Sequence, residues 1–227
     1  STRPFSDPIC VEEEIRRVIP VIETLAARIP IPISIDTTKA RVARRAIQAG
    51  ASMINDVSAL RLDHGLGNVA AEYDVPIILM HMLGTPKTMQ TDPVYDDLIK
   101  EIKGFLKNAV HYAQRKGISK SKIIVDPGIG FGKTVEHNLL LIKYLHEFKT
   151  LDVPIMIGLS RKAFIRNIFK DTIVKDINPD LPLVETGTQA SVAAAVLNGA
   201  HMVRVHNVAN TRTTLKIIDA INNVQNR

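Results

Sequence analysis

Arg204 and His206 lie two residues apart at the end of the apolar run Met202–Val205. Side chains alternate along a strand, so the two share a face and leave Val203 and Val205 on the other. Arginine presents a planar fork of donors suited to phosphate oxygens, and histidine adds one more. A helix starts near Ala209, and its free N–H groups also favour anions. The pair therefore points to an anion site; the alternative is an arginine buried against a carboxylate beside a core histidine. Asp36 closes Ile33-Ser34-Ile35-Asp36 and is either a binding group or an N-cap for the helix at Lys39. Asn55 shares the inward phase of Met53, a position where an amide needs a polar partner. Asp126 closes Ile123-Ile124-Val125-Asp126, just before Pro127-Gly128-Ile129-Gly130-Phe131-Gly132-Lys133. A carboxylate there can accept two parallel N–H bonds from an amino-pyrimidinone edge. Lys162 follows Gly158-Leu159-Ser160-Arg161 and can donate to a ring carbonyl or nitrogen. Taken together, these residues describe a slot for a flat polar heterocycle beside an anion site.

Other chemistry is harder to find. Gly132-Lys133-Thr134 ends like a P-loop, but the required earlier glycine falls at Pro127. The spacing of Gly128, Gly130 and Gly132 misses the dinucleotide fingerprint, and no HExxH or Cys/His cluster offers a transition-metal site. His64, His111, His137, His146 and His201 stand alone and read as structural or exposed; Met80, Met82 and Met89 read first as packing. Cys10 is the only cysteine, which rules out an intrachain disulfide, fits a reducing compartment and receives no catalytic role.

These residues need elements to hold them. Six short apolar runs recur: Ile31–Ile35, Ser52–Ile54, Pro76–Met80, Lys122–Val125, Pro154–Gly158 and Met202–Val205. Helical periodicity marks Val11–Arg28, Lys39–Gln48, Gly67–Tyr73, Tyr95–Arg115, Val135–His146, Thr188–Asn198 and Ala209–Asn223. Gly50, Gly117 and Gly199 each stand between a helix and a strand, where a left-handed cap is wanted. Alternation of this kind means a parallel sheet, open or closed. Every run ends in a polar residue: Asp36, Asn55-Asp56, His81, Asp126, Ser160-Arg161-Lys162, and Arg204 with His206. An open sheet concentrates its site at one switch point, whereas a TIM barrel draws on all its strand ends. The α/β fold predicted is therefore a TIM (β/α)8 barrel, a single domain over residues 1–227 in which six of eight strands are visible. The first strand–helix–strand portion is expected to lie outside this sequence, because Ser1-Thr2-Arg3-Pro4 leads straight into a helix. The polar stretch Lys170–Glu185 reads as a long mobile connection.

Charge and composition narrow the function. Lys and Arg exceed Asp and Glu by 6, but the charges are interspersed and aromatics make up only 4%, so nucleic acid is not expected as a partner. No apolar run approaches the ~20 residues of a membrane helix, so no membrane partner is expected either.

The segments Ser1-Thr2-Arg3-Pro4, Ile35-Asp36-Thr37, Ile54-Asn55-Asp56, Met80-His81-Met82, Asp126-Pro127-Gly128 through Gly132-Lys133, Ser160-Arg161-Lys162 and Arg204-Val205-His206 follow one another across nearly the whole chain. In that order they resemble the dihydropteroate synthases, pterin-binding TIM barrels. The resemblance implies a cytoplasmic, usually homodimeric transferase of folate biosynthesis, the target of sulfonamides. It would join a dihydropterin pyrophosphate to p-aminobenzoate. It implies pterin contacts from Asp36, Asn55, Met80, Asp126, Gly158 and Lys162, and pyrophosphate contacts from Thr2, Arg204 and His206. It implies p-aminobenzoate contacts from Arg3, Pro4, Phe131 and Lys162, with Lys162, Arg204 and His206 as the catalytic set. Mg²⁺ is implied on the pyrophosphate, met by an asparagine of a first barrel loop outside this sequence, so no metal ligand is named. Two residues depart from the family pattern: Phe5 where glycine is common, and Ala163 where serine is. A pterin-dependent methyltransferase, a non-catalytic pterin-binding barrel and another phosphate-handling barrel remain as alternatives.

Overall fold

The structure, a computed structural model, describes residues 9–85, 87–89, 91–170 and 177–224. A first helix, α1 (Val11–Ala26), precedes six strands: β1 (Ser34–Asp36), β2 (Met53–Asp56), β3 (Ile77–Met80), β4 (Ile123–Asp126), β5 (Met156–Gly158) and β6 (Met202–Arg204). Between them run α2 (Ala40–Gln48), α3 (Gly65–Glu72), α4 (Leu98–Arg115), α5 (Val135–Lys143), α6 (Ala163–Ile168) and α7 (Pro182–Leu197); α8 (Val208–Asn223) closes the order.

All strand pairs are parallel and follow chain order, β1 to β4 in one ladder and β5 with β6 in another. The two ladders meet at a bridge between Val125 and Ile155, where the Val125 N–H donates to the Pro154 carbonyl at 2.9 Å. With no reversal in strand order there is no switch point. The strands curl instead, and Arg204 on β6 reaches Asp36 on β1 at 3.0 Å. First and last strands thus face each other across one mouth, the arc of a TIM barrel.

Burial of both faces explains why the strand runs are apolar throughout. Ile78, Ile124 and Met156, with Met53 against them, fill the interior. Ile35, Ile54, Ile77, Leu79, Ile123 and Ile157 point the other way and join the helices in a larger core. Ser34, Asp36, Met202 and Arg204 are exposed, and no strand pairs with the outer edges of β1 or β6 among the described residues.

Several boundaries differ from the periodicity, each for a local reason. The α4 helix begins at Leu98 rather than Tyr95, because the Asp97 carboxylate caps it by accepting from the Lys100 N–H at 3.1 Å. The α5 helix stops at Lys143, and Leu145–Leu151 tightens into a 3-10 turn. Short α6 was not expected. The α7 helix starts six residues before Thr188, with Pro182 in its first turn. Part of the stretch read as a mobile connection is therefore helix, and residues 171–176 lie outside the described ones. The left-handed caps at Gly50, Gly117 and Gly199 stand as expected, with φ of 112°, 91° and 105°.

Asp56, counted above among the polar strand ends, does not enter the mouth. It is fully buried, and Oδ1 accepts from the Ser58 N–H (2.8 Å) and hydroxyl (2.7 Å), while Oδ2 accepts from the Leu60 N–H (2.6 Å). Those bonds hold Ala59 and Leu60 in left-handed conformations, φ 49° and 65°. Asp56→Ala should lower unfolding stability by about 2–4 kcal/mol, because three buried donors lose their acceptor at ~1–3 kcal/mol each before water relaxes the site. Urea denaturation checks this, and a loss below ~1 kcal/mol would mean that the loop holds itself.

Candidate active site

Six strand ends contribute one residue each to a single pocket: Asp36, Asn55, Met80, Asp126, Gly158 and Arg204. The space over these residues, counted out to the open mouth, is about 340 Å³. Lys162 enters from the loop after β5 and Phe131 from the loop after β4. The Lys162 ammonium stands 4.3 Å from the centroid of the Phe131 ring, a cation–π contact that fixes both.

Polar groups line one side in series. The Asn55 amide nitrogen donates to Asp36 Oδ1, and Asp36 Oδ2 accepts from Arg204. Asn55 Oδ1 is buried without a partner, an acceptor facing no donor. Asp126 is 4% exposed, and the one hydrogen bond to its carboxylate among the described residues comes from the Gly128 N–H at 2.7 Å. Burial pushes its carboxyl up to about 6, opposed by that bond and by the nearby charges of Lys162, Lys133 and Arg204. Burial likewise draws the Lys162 ammonium down to about 8, with Asp126 opposing and Arg204 assisting. One carboxylate and one ammonium thus sit poised near neutrality in the same pocket.

The loop after β4 is held from outside. A Cβ on Gly128 (φ 74°) would lie 1.9 Å from the His81 carbonyl oxygen, and one on Gly132 (φ 70°) would lie 2.5 Å from Leu83 Cβ. Only glycine allows that approach. The Gly130 N–H donates to Asn138 Oδ1 at 2.8 Å, and the Tyr95 hydroxyl donates to the Gly132 carbonyl at 2.8 Å. Buried Lys133 lies 3.0 Å from both His81 Nδ1 and the Phe131 carbonyl oxygen. Desolvation lowers Lys133 to about 7, and His81 to about 2 with help from Lys133 and Arg61. His81 therefore serves as a neutral support for Lys133, not as a mouth residue.

Of the residues expected to meet the ring, Asp36, Asn55, Met80, Asp126, Gly158 and Lys162 all line this pocket, as do Phe131 and Arg204. The capping alternative for Asp36 fails: the Ala40 N–H is accepted by Asp63 at 2.7 Å, and Lys39 carries no side-chain cap bond. Arg204 does pair with a carboxylate, but in an exposed setting where only one guanidinium nitrogen is engaged among the described residues. His206 shares its exposed face yet is not part of the pocket wall; its Nδ1 lies 2.8 Å from Ser160 Oγ. Thr2, Arg3 and Pro4, like Phe5, lie outside the described residues. Sequence reasoning missed Val57, Ile129 and Met156 in the lining. Met156 was recoverable from its phase with Gly158; the two loop residues carried no signal. Met82 and Met89 pack with Val57 and Met80 behind the pocket.

Comparison with known proteins agrees with this geometry. The family model described as pterin binding enzyme matches residues 1–206. The dihydropteroate synthase of Synechocystis sp. is 43% identical over 97% of this chain and 74% of its own length. The structure of Xanthomonas albilineans dihydropteroate synthase with 4-aminobenzoic acid superposes with a TM-score of 0.90 at 40% identity, covering 99% of this chain and 77% of that one. The same enzyme in complex with 7,8-dihydropteroate gives a TM-score of 0.86 at 40% identity, covering 96% and 77%. A matching family model over most of the chain, relatives of this identity and six strand ends meeting at one polar pocket lead to one conclusion: the chain belongs to the pterin-binding enzymes, among the dihydropteroate synthases.

Proposed function

We propose that this pocket binds the dihydropterin ring and joins its methylene carbon to the amine of p-aminobenzoate. The observation that carries the reading is the pairing of buried Asp126 with the partnerless acceptor Asn55 Oδ1 in one slot. Both accept, and the amino-pyrimidinone edge of a pterin is rich in N–H donors. Lys162 supplies the complementary donor for a ring nitrogen or carbonyl, while Met80 and Gly158 form the walls. The Xanthomonas enzyme has been seen with 4-aminobenzoic acid, one of the two proposed substrates, and with 7,8-dihydropteroate, the product of joining them.

The chemistry asks for positioning and charge. The arylamine nitrogen attacks the methylene carbon, a C–N bond forms, the C–O bond to pyrophosphate breaks, and the amine proton passes to solvent. Arg204 stabilises charge growing on the departing pyrophosphate, with His206 beside it; Asp126 and Asp36 lie around the electron-poor ring. Mg²⁺ belongs to this reading only as a companion of the pyrophosphate. Among the described residues no group of three His, Cys, Asp or Glu side chains is placed to hold a metal ion, so no ligand is named and no step is routed through one. A cytoplasmic setting accords with exposed, unpaired Cys10. A homodimer accords with exposed Ile168, Phe169, Leu181 and Leu183 around α6 and the start of α7.

Three outcomes follow. Arg204→Ala should leave affinity for the bare pterin alcohol within about twofold and weaken the pyrophosphate ester about tenfold or more, ~1.5 kcal/mol for an exposed charge-assisted bond. Titration of both ligands checks this; equal losses, with a lowered melting temperature, would make Arg204 a structural ion pair. For pH, Asp126 must be ionised to accept N–H bonds. With its carboxyl raised to about 6, kcat/KM for the pterin substrate should fall as pH drops below that value. With Lys162 lowered to about 8, a second fall should appear above it, and Asp126→Asn should remove binding together with the acid limb. A flat profile from pH 5 to 9 would contradict both roles. Light scattering should give twice the 25.1 kDa chain mass, and Leu183→Asp should give a monomer; a monomeric parent overturns the dimer.

A further inference from the structure

Ser160 has no part in the reaction described above, yet it touches a residue that does. The parallel register pairs Gly158 with Arg204. Two residues further along both chains, Ser160 stands beside His206. The serine is 6% exposed, while the imidazole beside it is exposed. Its Oγ lies 2.8 Å from His206 Nδ1 and accepts from the His206 backbone N–H at 3.3 Å.

That arrangement assigns the protons. A serine hydroxyl owns one proton and two lone pairs, and a backbone N–H can only donate. One lone pair therefore takes the backbone N–H. No other acceptor meets this hydroxyl among the described residues, so its proton finds a partner only by donating to Nδ1; accepting from an Nδ1–H with the second lone pair would leave that proton unpaired. Nδ1 must then offer a lone pair. Partial desolvation of the ring, and after it the charges of Arg161 and Arg204, lower its pKa against the opposing Asp180 and Glu185, which favours the neutral form. A neutral imidazole carries one N–H, which in this arrangement sits on Nε2. Nε2 makes no hydrogen bond among the described residues, so the ring presents a free donor on the face it shares with Arg204. The opposite tautomer would present a lone pair there, and a lone pair repels an anion.

The serine is itself held in place. The chain turns at Leu159–Lys162, where the Lys162 N–H donates to the Leu159 carbonyl at 3.3 Å and Arg161 adopts a φ of 58°. The Arg161 N–H donates to Thr188 Oγ1 of α7 at 3.2 Å. The hydroxyl thus approaches His206 from a backbone fixed on both sides.

We propose that Ser160 is a positioning residue that locks His206 in its Nε2–H tautomer, so that the ring offers a donor to the pyrophosphate. The proposal rests on the reading of Arg204 and His206 as the pyrophosphate site. Its test separates the two. Long-range proton–nitrogen spectra of the histidine-labelled protein report the tautomer without any ligand, and His206→Gln identifies the resonance. His206 should show the Nε2–H pattern in the parent, a mixture in Ser160→Ala, and recovery in Ser160→Thr. Inorganic pyrophosphate should bind Ser160→Ala roughly fivefold more weakly, the scale of one neutral hydrogen bond, with the pterin alcohol unaffected. An Nδ1–H pattern in the parent, or no change in Ser160→Ala, overturns the positioning role whatever the affinities show. A shifted tautomer with unchanged pyrophosphate affinity in both Ser160→Ala and His206→Gln overturns the pyrophosphate reading of His206 and, with it, the purpose assigned to Ser160.

Discussion

The constraint on which this site depends is the removal of the Asp126 carboxylate from water. At the end of a strand buried on both faces it retains one hydrogen bond from its own loop, and nothing nearby compensates its desolvation in full. A carboxylate so placed either protonates or waits for donors. The surrounding cations tip the balance without quenching it: Lys162, Lys133 and Arg204 favour the charged form, yet none is hydrogen-bonded to it. The same desolvation acts on the two lysines and brings all three groups toward neutrality. A ligand with parallel N–H groups relieves this tension, and the pocket thereby selects a chemical class of ring before any contact to its remainder is made.

Around that carboxylate the structure keeps its order by excluding freedom. The loop from Pro127 to Lys133 is pinned from four directions: by Asp126 itself, Asn138, Tyr95 and the Lys133–His81 pair. Its glycines are required where backbone meets backbone, at the His81 carbonyl above all. Phe131 is thereby set against Lys162 as a wall with a charge over its face. The Arg204–Asp36 contact is of another kind. Both partners are well exposed, and such a pair contributes little to stability, about 0–1 kcal/mol. Its value is geometric, because it holds the acceptor chain of Asn55 and Asp36 next to the guanidinium.

Much of this was legible in the residue order. Apolar runs closed by polar residues are what a parallel strand needs when both faces are covered and only its end meets solvent. Asp36, Asn55, Asp126 and Arg204 could therefore be placed on one mouth by phase alone, and they line one pocket. Asp56 could not be told from Asn55 in this way. Adjacent residues in a strand face opposite sides, and only the fold shows which side is wet. His81 likewise looked like a mouth residue until its partner, 52 residues away, was seen to be Lys133.

By itself, then, the sequence determined the alternation of elements, the two-residue phase along each strand and the chemical kind of the strand-end residues, because these follow from period and side-chain type. The tertiary structure alone decided which carboxylate is buried near a charge, which carboxylate caps α2 from across the fold, and which hydroxyl faces His206. Those depend on register and burial, and on contacts between residues up to 168 positions apart, as with Arg204 and Asp36. Local pattern carries no record of such distances, whereas desolvation and hydrogen-bond geometry are set by them.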